Sequence, residues 1–212
     1  MQKNRAIRHV RYAAEVEVCT EAEMGKGKTR ENIIALSICE DHRPHELAVV
    51  TEARPSFLPQ ATFVLSEGRR LLLYSCEGLV PLARYGQGAG SVTLGTLFAL
   101  LTGYIRVLLM ARDMLLDTRL LSSDPAGGVF AACSVPSAVM VKAVWGADIC
   151  AGEGEKICRV ARALAGHERV MGARASMERL IDFIRTENPS LQGCLKAAES
   201  VCREWNQIVH AG

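Results

Sequence analysis

The stretch "EMGKGKTRENIIAL", residues 23–36, poses the first structural question of this chain: phosphate loop or plain turn. Gly27, Lys28 and Thr29 form the Gly-Lys-Thr triplet of a phosphate-binding loop. Such a loop must open a helix, because the free N–H groups at a helix start hold the anion. The complete pattern is G-x-x-x-x-G-K-[ST], whose glycines let successive N–H groups close around phosphate. Counting back from Gly27 puts Ala22 where the first glycine belongs, and Glu21 and Glu23 would set carboxylates beside an anion. The residues after the triplet are strand-like: Ile34, Leu36 and Ile38 recur at period two. The 25–29 loop therefore reads as a solvated hairpin turn.

On its N-terminal side, "HVRYAAEVEV" (9–18) alternates strictly. Val10, Tyr12, Ala14, Val16 and Val18 face one way, and His9, Arg11, Glu15 and Glu17 the other. That pattern predicts a strand with one wet face, paired as a hairpin with "NIIALSICE" (32–40). "RPHELAVVTEA" (43–53) predicts a helix, with Pro44 in its first turn and Leu47 and Val50 on one face. "ATFVLSEGRRLLLYSC" (61–76) predicts a second hairpin turning at Glu67-Gly68. "EGLVP" (77–81) reads as a linker and "RYGQGAGS" (84–91) as a Gly-rich loop. A long helix capped by Ser91 or Thr93 then runs to about Leu116.

"RLLSSDPAGGVFAACSV" (119–135) reads as two short strands around Asp124–Gly128, with "AVMVKAVW" (138–145) a third. From Glu155 the pattern is helical. In "LQGCLKAAESVCREW" (191–205), Leu191, Cys194, Leu195, Ala198, Val201, Cys202 and Trp205 form one stripe behind a Ser190 N-cap. The expectation is an α+β chain with a strand-rich part over 1–80 holding one helix. A mainly helical part over 81–212 carries short strands near 119–145, and the seam falls at 77–90.

Composition narrows the function classes. With 49% hydrophobic residues the chain can bury a large core, which excludes wholesale disorder. A net charge of +2 argues against a dedicated nucleic-acid binder. None of the eight cysteines (19, 39, 76, 133, 150, 158, 194 and 202) forms a C-x-x-C pair, so a zinc ribbon has no support. The start "MQKNRAIRHVRY" lacks the apolar core of a signal peptide, so a cytoplasmic location with reduced, buried thiols is expected. "SVTLGTLFALLTGYIRVLLMA" (91–111) approaches membrane-spanning length but is interrupted by Arg106, and reads as a central buried helix.

Other candidate sites are thin. "GQGAG" (86–90) lacks dinucleotide-loop spacing. His42 and His45, near Glu40 and Asp41, read as a surface cluster. Cys150 with Cys158 and Cys194 with Cys202 share a spacing that is two helical turns only where both residues are helical; Cys150 does not read as helical, and core packing explains the second pair without a metal. "ARDMLLDTRLL" (111–121) echoes the protein-kinase catalytic loop H-R-D-L-x-x-x-N. Arg112 and Asp113 match, Ala111 replaces the histidine, and Thr118 stands at the metal-holding asparagine position.

Two stretches carry a family resemblance. "FLPQATFVLSEGRRLLLYSCEGLVPLARY" (57–85) and "MLLDTRLLSSDPAGGVFAACSV" (114–135) resemble motifs of a bacterial domain of unknown function that commonly precedes a forkhead-associated domain. That domain is similar to the kinase-like cytosolic domain of a type VII secretion component. The resemblance implies a bilobal, kinase-like fold. It puts Asp124-Pro125 and the turn to Gly128 at the catalytic-loop region, a register incompatible with the Arg112-Asp113 match. In either register the phosphoryl-transfer parts are missing. "NIIALSICE" holds no lysine to partner Glu46 or Glu52, no Asp-Phe-Gly follows "VFAACSV", and "GKGK" has the wrong spacing for a Gly-rich loop.

The resemblance thus implies a catalytically inactive, pseudokinase-like scaffold or signalling module, without catalytic, cofactor-binding or metal-binding residues. It would act by binding a protein partner at the inter-lobe groove near 77–90, with no nucleic acid and no membrane span. The alternative from another class is an atypical nucleotide-binding transferase using Lys28 and Thr29 with Asp113 or Asp124.

Overall fold

Among the described residues, two small antiparallel sheets and five α-helices build a mixed α+β structure around one shared core. The structure, a computed structural model, describes residues 33–38, 43–66, 69–86, 92–135, 138–146, 151–167 and 170–210. The alternating run 9–18, the Gly-Lys-Thr loop, the Glu67-Gly68 turn and most of the 86–90 glycine loop lie outside the described residues.

The first sheet has the order β1-β3-β2, from β1 (Ile33–Ser37), β2 (Gln60–Ser66) and β3 (Arg69–Ser75). The segment after the Gly-Lys-Thr triplet is therefore extended where it is described, as its period predicts. Register puts Ile34 beside Tyr74 and Leu36 beside Leu72, and the alternate residues continue through Ala61 on the same face. Tyr74, Leu72 and Ala61 are buried there, so the period-two apolar set does face the core. Between β1 and β2 runs α1 (Pro44–Ala48), with Pro44 in its first turn where a missing N–H costs nothing. It continues as a π-helical turn over Val49–Ala53 that buries Val50.

The segment expected as a linker contains β4 (Leu79–Pro81), which pairs with β5 (Val129–Val135). With β6 (Ala138–Ala143) these form the second sheet, ordered β4-β5-β6. Of the two strands expected around Asp124–Gly128 only the second forms. Its predecessor is a 3-10 turn over Thr118–Leu120, followed by a single bridge from Leu121 to Trp145. The physical reason is local: Asp117 accepts the Arg119 N–H and so caps a tight turn that competes with extension.

Helix α2 (Leu94–Asp113) is the pillar of the molecule. Thr93 caps it, its hydroxyl accepting the Thr96 N–H at 3.2 Å. Leu97, Leu100, Leu101, Tyr104, Ile105, Val107 and Leu108 are all fully buried, because α2 is flanked by α3, α5 and β6. Among the described residues it is the one helix long and apolar enough to cross a membrane, and most of it is buried within the protein. Gly103 lets it approach β6: a Cβ there would lie 2.7 Å from Val141 Cγ2. Arg106, the charge interrupting the apolar run, points outward and pairs with Glu199 at 3.0 Å.

The C-terminal part is α3 (Glu153–Ala165), α4 (Ala173–Glu187) and α5 (Leu191–His210). Glu153 and Glu155 lie in the first turn of α3, where negative charge suits the helix dipole. Asn188 ends α4 in the left-handed conformation, Pro189 comes next, and the Ser190 hydroxyl accepts the Gly193 N–H to start α5. Leu191, Cys194, Leu195 and Ala198 are buried along its stripe.

Candidate functional site

The polar groups that could do chemistry gather in the segment 114–128, between α2 and β5, where side chains of α1, α2 and α3 reach its backbone and hydroxyls. Glu46 comes from α1 and is only 3% exposed. Its Oε1 accepts the backbone N–H of Asp117 at 2.8 Å, so a helix of the first part clamps the loop of the second. His45 lies beside it, exposed, with Nε2 3.3 Å from the Leu115 carbonyl oxygen. Asp117 in turn receives Arg119, whose guanidinium reaches its carboxylate at 2.6 Å. The hydrogen bond from Arg119 holds the Asp117 carboxyl below the usual carboxylate range.

The loop then turns back under its own control. Asp124 Oδ1 accepts the Ala126 N–H at 2.9 Å, while its carbonyl accepts from Gly128 and Val129. Ser122 and Ser123 are fully buried. Tyr104 donates its hydroxyl to the Ser122 carbonyl, and the Ser122 hydroxyl accepts the Asp124 N–H. Lys156 of α3, fully buried, donates from Nζ to the Leu121 carbonyl. Thr118 donates to Glu153 at 2.8 Å. Gly128 has to be glycine for a steric reason, since a Cβ there would sit 1.9 Å from Ser122 Oγ.

The far wall of this junction is Trp145-Gly146. Tyr74 donates its hydroxyl to the Trp145 carbonyl at 2.7 Å. Ala143 donates to Phe57, and Lys142 Nζ to Leu58, both backbone carbonyls in the turn before β2. Gly146, at φ +96, lies under Leu36 and Leu72 of the first sheet. These bonds join the two parts through backbone groups over a wide front.

The residues that the sequence singles out are scattered. Arg112 and Asp113 are exposed in the last turn of α2, and their side chains make no ion pair with a described residue. Asp113 and Asp124 are not bonded to each other. Thr118, at the asparagine position of the kinase-loop register, is held by Glu153. Of the two helix acids, Glu46 is buried and engaged, whereas Glu52 is exposed. Lys28, Thr29, Glu40, Asp41 and His42 lie outside the described residues. Among the described residues no group of three or more His, Cys, Asp or Glu side chains is placed to hold a metal. Burial pushes the Cys76 and Cys194 thiols up to about 11, which keeps them protonated and unreactive at neutral pH.

Near the expected seam, Leu82 is buried and the Ala83 N–H donates to the Pro125 carbonyl at 2.8 Å, strapping this segment onto the Asp124 turn. A groove of about 300 Å³ lies elsewhere, between α2 and α5, with Phe98, Thr102, Glu199, Cys202 and Arg203 in its walls. Sequence reasoning missed Lys156 altogether and gave no sign that Glu46 is buried. Both are charged residues in amphipathic helices, where pattern assigns charge to solvent.

Compared with models of known protein families and with curated protein sequences, the chain gives no match.

Proposed function

We propose that the chain is a kinase-like, bilobal domain that has lost phosphoryl transfer and acts by binding another protein, as a scaffold in bacterial signalling or secretion. The order of elements supports this reading. A helix sits between β1 and the β2-β3 hairpin, β1 docks on β3, and a crossover leads to one long buried helix followed by strands and helices.

One observation carries it. Glu46, the helix acid that would hold a phosphate-gripping lysine in an active kinase, is closed onto the Asp117 N–H, and β1 offers no lysine to it. Phosphoryl transfer depends on fixed charges that position metal and phosphates. Here Asp117 and Asp124 hold their own loop, and Lys156 of α3 is bonded to the Leu121 carbonyl of the same loop.

The test is a thermal melt with millimolar magnesium and ATP. The expected result is an unchanged midpoint. Saturable stabilisation refutes the reading; nucleotide at 100 times its Kd would add about 2.7 kcal/mol, a shift of roughly 5–10 °C for a chain of this size. If such a shift disappears in Lys28→Ala while folding is intact, the transferase alternative at residues 25–29 takes its place.

A further inference from the structure

We draw no further inference here: the strongest candidate, the groove of about 300 Å³ between α2 and α5 with Phe98, Thr102 and Cys202 in its walls, carries nothing because nothing in the structure shows what covers it.

Discussion

Replacing Glu46 with alanine removes the one side chain that ties α1 to the loop after α2 through a buried carboxylate. The bond is short, 2.8 Å, and its acceptor residue is 3% exposed, so water cannot readily replace it. Hydrogen bonds to charged groups contribute about 1.5–3 kcal/mol, and the orphaned Asp117 N–H adds to the loss, giving about 2–3 kcal/mol in all. For a chain of 212 residues that is a fall in Tm of roughly 4–12 °C. Glu46→Gln keeps an oxygen acceptor in the same place and should cost only about 0.5–1.5 kcal/mol. Urea denaturation followed by circular dichroism measures both, and an unchanged m-value shows that the same transition is compared. An alanine variant within ~0.5 kcal/mol of wild type would refute a structural role for Glu46. A glutamine variant as damaged as the alanine one would instead show that the charge, and not the acceptor position alone, carries the bond.

Gly128→Ala should destabilise by about 1–3 kcal/mol through overlap with the buried Ser122; Ser122→Gly in the same chain should recover part of the loss, and equal melts for single and double variants would contradict the packing. The Asp117 carboxyl is lowered by Arg119, so its stabilisation is present above the ordinary carboxylate pKa and lost as pH falls through the lower folded value. Asp117→Asn should therefore lose less stability than wild type between pH 7 and pH 3 in parallel denaturation curves. The Cys76 and Cys194 thiols, raised to about 11, favour folding below the unfolded thiol pKa and cease to do so as pH climbs toward 11. At pH 8, peptide-level alkylation of these two should lag the denatured chain by about 100-fold or more, and rapid labelling would contradict their burial.

Several elements were legible because their signals are local. Ile34, Leu36 and Ile38 alternate against a sheet, and Thr93 and Ser190 cap helices with their own hydroxyls. Where reading failed, the cause was tertiary or a cap that pattern does not weigh. Leu79–Pro81 is too short to show a period and becomes a strand only because β5 lies beside it. "TRL" turns instead of extending because Asp117 supplies a cap two residues before Arg119. The candidate site was least legible of all. A glutamate and a lysine on amphipathic helices look solvent-facing until their partners, the Asp117 N–H and the Leu121 carbonyl, arrive from 71 and 35 residues away in the chain. Backbone partners leave no residue-type signature, so no motif could have announced them.

Residues 114–128 are bonded to one another and to Glu46, Tyr104, Glu153 and Lys156, and the proposed loss of phosphoryl transfer requires that this closure persist when nucleotide is offered. Amide hydrogen exchange across this segment, with and without millimolar magnesium ATP, reads that closure at the bonds themselves. Slow exchange at Asp117, Gly128 and Val129 that nucleotide leaves unchanged is the predicted result. Fast exchange in the free chain, slowed when nucleotide is added, would contradict it.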